Sequence, residues 1–427
     1  MSRIYRHSIP SFRHILLSLS STTTLFFALS SVKAEDWSQW RGPQRNGISK
    51  EKGLLKSWAT EGPKLLWKIE NAGGGYCTPS VAQGKIFGMG YRDDREILWA
   101  MDATTGHEIW ATPIAQANRR GKGYEQGSRS TPTVDGTRVY VIGDSGDFVC
   151  ADVKTGKVLW SKDLVDNFKG HVPDWGYSES PLIDGDKVIV TPGGSQATLI
   201  ALNKQTGDLL WKCAIPNNNT AGYASCIVAT VDGVRQYIQF TAGGGIGVAA
   251  EDGKLLWRYM RHNGVTANIA TPLYADNHVF ISAAYGTGGG LIRLTRGSDS
   301  FKAEEVYFTQ QLKSKHGGMI LLGDYIYAMD DPRTLVCLEY KTGKVMWSNG
   351  SVGGNASVCY ADGQLYVRSQ GGATALVEAT PSGYIEKGRF NQPQRTGRET
   401  WAHPVVANGR LYLRDQNVVY CYDVKQH

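Results

Sequence analysis

The chain is 427 residues long, 41% hydrophobic and 20% charged, which is enough apolar material for a large core and too much for a disordered chain. Its net charge of +7 comes largely from the first 34 residues, where Arg3, Arg6, Arg13 and Lys33 stand without an acid. No Lys/Arg block follows, so nucleic acid is not expected as a partner.

In chain order, the basic start gives way to an apolar stretch from Ile15 to Leu29. Ser31-Val32-Lys33-Ala34 comes next, with small residues at the spacing of a signal-peptidase site. Residues 1–34 are therefore expected to be a cleaved signal peptide, and the protein to be periplasmic or secreted. The apolar stretch is short and diluted with Ser and Thr, so it is not expected to span a membrane, and no Cys follows the cut to carry a lipid. Residues 35–61 read as an N-terminal extension. Gly62-Pro63-Lys64-Leu65-Leu66-Trp67-Lys68-Ile69 then reads as one strand with nothing before it to pair with.

A repeat occupies the rest. Thr-Gly-x-x-x-Trp runs from Thr105 to Trp110, Thr155 to Trp160 and Thr206 to Trp211, and returns as Asp252-Gly253 to Trp257 and Thr342-Gly343 to Trp347. The first four Trp are 50, 51 and 46 residues apart, and a period of that length holding several short strands marks a propeller. Units open on a small residue and Pro, as in Thr78-Pro79, Thr131-Pro132, Ser180-Pro181 and Thr271-Pro272, or on His403-Pro404. A hairpin signal follows, such as Asp135-Gly136 before Val139-Tyr140-Val141. Both of its residue types accept the positive φ of a type I′ turn. A third strand ends in Asp or Asn, and a fourth carries the Trp. Starts fall near residues 78, 131, 180, 225, 271, 317, 357 and 403. The expected fold is all-β, a single eight-bladed β-propeller over residues 62–427. The last unit stops after its third strand, so strand 62–70 is expected to complete the last blade and close the ring, leaving no open sheet edge.

Trp67, Trp110, Trp160, Trp211, Trp257 and Trp347 share one repeat position and are expected to pack between neighbouring blades. Cys150, Cys337 and Cys421 share the position that holds Ala100 and Ala201 in other units. They read as small buried packing residues, and the seven cysteines as free thiols.

Met101-Asp102-Ala103-Thr104-Thr105-Gly106-His107-Glu108-Ile109-Trp110 and the matching run from Asp152 to Trp160 resemble the pyrroloquinoline quinone (PQQ) repeat family. The likeness recurs in phase over residues 62–427. Trp37-Ser38-Gln39-Trp40-Arg41-Gly42-Pro43 also looks like the opening of exported PQQ-repeat proteins of planctomycete type. The resemblance implies one of two roles on a quinoprotein alcohol dehydrogenase-like ring. One is oxidation of an alcohol or sugar with PQQ and Ca²⁺ at the channel; the other is a BamB-like scaffold without catalysis. The chain has neither the adjacent cysteines of the first nor the lipobox of the second.

Propeller ligand sites collect where the innermost strands begin. The candidates there are Tyr76, Arg129, Tyr177, Glu179, Tyr223, Asn268, His316, Asn355 and Trp401, with His403 two residues on and Trp175 in a long inter-blade segment. Arg129 among Tyr and His suits an anionic or hydroxylated small ligand, and Trp175 or Trp401 could stack on a flat ring. No zinc-type His spacing and no nucleophile elbow occur. The expectation is a monomeric, non-catalytic module that binds a protein or small ligand at the channel face, without a certain cofactor or metal. The alternative is a PQQ- and Ca²⁺-dependent dehydrogenase with Glu179 as its base.

Overall fold

The computed structural model describes residues 1–3, 7, 35–121, 127–215, 220–264, 266–331 and 333–427. The expected signal peptide, apart from residues 1–3 and 7, lies outside the described residues. The unit Ala34–His427 holds the ring.

Asp102 explains the repeated Asp-x-x-Thr-Gly. Its Oδ1 accepts from the Thr104 and Thr105 backbone N–H groups, each at 2.8 Å, and from the Thr105 hydroxyl at 3.1 Å. Asp152 repeats the pattern, and Asn203 makes the two backbone bonds with an amide oxygen. These bonds hold the Asp102 and Asp152 carboxyls below the usual range. Each such turn reverses the chain into the fourth strand.

Eight sheets result, seven of four antiparallel strands and one, in blade 7, of four antiparallel strands with a fifth, parallel strand at its inner edge. Their innermost strands are Ser80–Ala82, Thr133–Asp135, Leu182–Asp184, Ile227–Val231, Leu273–Ala275, Ile320–Leu322, Ala356–Ala361 and Val405–Ala407, in blades 1 to 8. The last blade is completed by Lys64–Ile69, which pairs antiparallel with Val418–Asp423. The register sets Trp67 opposite Cys421, as Trp110 faces Ala100, Trp160 faces Cys150, Trp211 faces Ala201 and Trp347 faces Cys337. A large ring on one strand needs a small partner directly across, which is why Ala and Cys alternate there. All seven cysteines are free and buried.

The tryptophans join the blades. A Cβ on Gly106, Gly156, Gly207 or Gly253 would sit 3.0, 2.5, 2.9 or 2.5 Å from the ring of Trp67, Trp110, Trp160 or Trp211, each on the blade before. The ring N–H donates across the same junction, from Trp110 to Val153 O at 3.1 Å and from Trp347 to Thr380 O at 2.9 Å. Blade 5 uses Tyr307 instead. Its ring packs on Gly343, and its hydroxyl donates to Tyr340 O at 2.8 Å.

Residues 37–55 are part of this architecture. Val81 of blade 1 donates to Trp37 O, and Val134 of blade 2 donates to Ser38 O, both at 2.8 Å. Arg45 reaches Ser180 O at 2.8 Å and Pro181 O at 2.9 Å at the start of blade 3. Trp40 donates to the Thr271 hydroxyl of blade 5 at 2.9 Å, and Arg41 to Gly317 O and Met319 O of blade 6. Ile48–Ser49 pairs in parallel with the inner strand of blade 7, and Glu51 accepts from the Gly409 N–H of blade 8 at 2.6 Å. A short segment can touch the inner strands of seven blades only from the axis of the ring. The N-terminal extension is therefore a plug in the channel.

Candidate functional site

One cavity of about 230 Å³ lies over the plug, among the residues that lead into the inner strands. Tyr76 and Thr78 come from blade 1, Arg129 from blade 2, Ser178 from blade 3 and Tyr223 from blade 4. Ile269 and Tyr285 come from blade 5, Lys315 and His316 from blade 6, and Trp401 and His403 from blade 8. Trp175 enters from the segment before blade 3, and Trp40 from the plug.

Aromatic rings make the walls. Tyr76 and Trp401 stack with centroids 4.4 Å apart and planes 25° from parallel. The Arg129 guanidinium carbon lies 4.7 Å from the Tyr76 ring centre and 5.6 Å from that of Trp401, and its Nε donates to Trp175 O at 3.0 Å. Both π faces attract the guanidinium and help to hold it in place. Trp175 lies 5.3 Å from Tyr223, and the Lys315 ammonium 5.6 Å from the Tyr285 ring. Trp40 closes the channel end, 4.5 Å from the His403 ring.

Two imidazoles complete the lining. His403 Nε2 lies 2.8 Å from His316 O, so that nitrogen carries the proton. Burial pushes His403 down to about 3, with the nearby Arg41 charge adding, and burial with Lys315 pushes His316 down to about 3. Both rings are therefore neutral at neutral pH. Neither His316 ring nitrogen has a partner among the described residues, so that ring offers one donor and one acceptor.

Five of the nine candidates, Tyr76, Arg129, Tyr223, His316 and Trp401, line this cavity, together with His403 and Trp175. Four do not. Tyr177 is core: its hydroxyl donates to Pro192 O at 2.7 Å, and its ring packs on Gly146. Glu179 points between blades 3 and 4, accepting from Thr191 N at 2.7 Å, the Thr191 hydroxyl at 2.9 Å and Gln239 at 2.9 Å. It is 3% exposed, so it is not placed to be a base for a ligand in the cavity. Asn268 ties Thr241 O and His262 O together at 2.7 and 3.1 Å and borders a second, smaller cavity beside Tyr223. Asn355 is buried at the start of blade 7, where its carbonyl accepts from Gln370. Ser178 lines the cavity while its neighbours Tyr177 and Glu179 turn into the core.

Sequence reasoning missed Lys315 and Tyr285 and left Trp40 without a place. Trp40 stands in a Trp-rich stretch outside the repeat, which was a usable signal. Tyr285 follows the second strand of its blade and carries no local mark.

A profile of the family described as outer membrane protein assembly factor BamB matches residues 94–349 and 308–383, which is well over half of the chain. The protein belongs to the BamB family. Among sequence relatives, BamB from Shewanella oneidensis is 25% identical over 68% of this chain and 62% of its own length. The chain thus spans somewhat less than two thirds of that relative. Quinohemoprotein alcohol dehydrogenase ADH IIB from Pseudomonas putida is 28% identical over 35% of this chain and 21% of its own. Among solved structures, BamB from Moraxella catarrhalis superposes with a TM-score of 0.60 at 18% identity, covering 85% of this chain and 98% of that one. That likeness is one of fold. Among the described residues no helix is long and apolar enough to cross a membrane.

The dehydrogenase likeness raises PQQ with calcium. Flat aromatic walls beside Arg129 and Lys315 fit a flat polyanion. The same lining does not fit calcium, a hard cation that takes six to eight oxygen ligands, carboxylates foremost. Among the described residues none of the lining is Asp, Glu, Asn or Gln, and no three His, Cys, Asp or Glu side chains converge elsewhere.

Proposed function

We propose that this BamB-family protein is a non-catalytic binding module of the periplasm or cell exterior, and that it holds a small ligand at the channel mouth. The observation that carries the reading is the cavity itself, with its stacked Tyr76–Trp401 pair, the Arg129 cation over both rings and an unpartnered neutral His316. Polar groups converging on apolar walls are what a small-molecule site needs. Nothing in that lining is arranged as a general base beside a nucleophile. The relatives' name supports binding without catalysis, and a partner protein on the rim is compatible with the same role.

A ligand-detected NMR screen of mixed small fragments against the full chain tests the reading, with Trp401→Ala as the control. Fragments that bind the parent and not the variant support it. A screen without such fragments removes it. Reduction of an artificial electron acceptor by an alcohol, in the presence of PQQ and Ca²⁺, would replace it with a dehydrogenase.

A further inference from the structure

The cavity has an unusual balance of hydrogen-bonding groups. Among the described residues its lining holds Arg129, Lys315, His316, His403, Ser178, Thr78 and several Tyr and Trp, but no carboxylate or carboxamide. Sugars and polyols present many hydroxyl donors, for which carboxylates and carboxamides are the strongest side-chain acceptors. This wall is rich in donors and π faces, so it fits a ligand that is flat and rich in acceptors.

Charge points the same way. Among the described residues Lys315 makes no ion pair within 4 Å. Below the floor, Arg41 is 2% exposed and bonds only to backbone carbonyls, with its Nε unpaired. A guanidinium buried without a carboxylate is costly, and an anion placed above it offsets part of that cost. Arg45, the plug's other buried arginine, has Glu179 close enough to act on it; Arg41 has no such neighbour among the described residues.

The plug also decides the shape. Gly42 lets the chain turn beneath Trp37, where a Cβ would come within 3.0 Å of that ring, and the turn presents Trp40 upward beside His403. Trp40 thus walls the cavity on the side of the plug. The cavity floor is an indole and its rim carries the Arg129 and Lys315 cations.

We propose that the channel-mouth cavity is a metal-independent site for a small aromatic carboxylate. Trp40 of the plug stacks under the ring, Arg129 and Lys315 hold the carboxylate, and Arg41 adds positive potential from below. This rests on the binding-module reading and narrows it to one ligand class.

The test is calorimetric titration of the full chain with naphthalene-2-carboxylate and, separately, with its neutral isostere naphthalene-2-carboxamide, in EDTA and in Ca²⁺. The carboxylate is expected to bind about tenfold or more tightly than the amide, the ratio expected when a charge-assisted hydrogen bond replaces a neutral one. Its affinity should be the same in EDTA and Ca²⁺ and should fall as NaCl screens the cations. Lys315→Gln, on the half-exposed rim, should weaken the carboxylate more than the amide, and Trp40→Leu should weaken both. Circular dichroism melts check that both variants fold, and Lys315→Gln keeps the test decisive if Trp40→Leu does not. Equal affinity for the two probes, or carboxylate binding that needs Ca²⁺, overturns the proposal. If neither naphthalene binds while the fragment screen finds neutral ligands that Trp401→Ala loses, the ligand class fails and the binding module stands. Silence in both experiments removes both.

Discussion

The rim of the ring and its centre are built from the same eight blades and obey different rules. At the rim one contact recurs at most junctions: the ring of Trp67, Trp110, Trp160, Trp211 or Tyr307 lies on the turn glycine of the next blade, and the tryptophans face Ala or Cys across the strand. At the centre the positions differ from blade to blade. The residues leading into the inner strands include Tyr76, Arg129, Ser178, Tyr223, His316 and Trp401, which bring phenol, guanidinium, hydroxyl, imidazole and indole groups to a shared cavity. Packing between like neighbours reuses one solution from blade to blade, whereas a ligand breaks the symmetry and needs different groups on different sides. Stability therefore belongs to the rim and recognition to the centre.

Deleting residues 35–70 attacks both regions and should have the largest effect. It removes the strand that closes blade 8 and the plug that ties seven blades together. Loss of soluble, cooperatively melting protein is expected, and a truncation with a sharp melt would show that the ring closes without them. Next comes Trp347→Ala at the rim, which should cost about 3–5 kcal/mol in denaturant unfolding. Trp401→Ala at the centre should cost stability far less and abolish fragment binding. If both variants lose stability alike, the division between rim and centre fails.

A finer cut compares two glycines in similar turns. Gly156 has φ +73° and faces Trp110, whereas Gly136 has φ +56° and open space around its Cα. Gly156→Ala carries the left-handed strain plus a steric clash and should destabilise by about 2–4 kcal/mol, against about 1 kcal/mol for Gly136→Ala. Equal costs would show that the Trp-on-Gly contact yields readily.

The smallest effect concerns buried acids that belong to neither pattern. Burial pushes Glu96 and Glu179 up to about 7 from 4.5. Each binds a proton more tightly folded than unfolded, so its stabilising contribution is complete below about pH 4.5 and is lost as pH rises through about 7. Glu96→Gln should flatten the decline in unfolding free energy from pH 5 to pH 8 by about 1–3 kcal/mol. An unchanged slope would mean that Glu96 titrates normally.

The repeat was legible because its causes are local. Asp102 caps its own turn three residues on, and Trp110 meets a glycine at one fixed period, so the eight blades and the closing strand Lys64–Ile69 follow from spacing alone. The candidate site was legible in part. Tyr76, Arg129, Tyr223, His316 and Trp401 were found because polar and aromatic residues stand out before an inner strand. Tyr177 and Glu179 stand out equally, and only the facing of each side chain sends them into the core. Trp40 and Arg41 were visible as an odd motif without a location.

What the sequence by itself determined is the periodic part: an all-β ring, its blade count, its closure and its free buried thiols. Each of these depends on contacts within one repeat or between successive repeats. The plug, the cavity over it and the meeting of Trp40 with His403 were decided only by the tertiary structure. Those contacts join residues some 360 positions apart across an axis that has no counterpart along the chain. Periodicity can place a blade, but only closing the circle brings all eight blade entrances to one point.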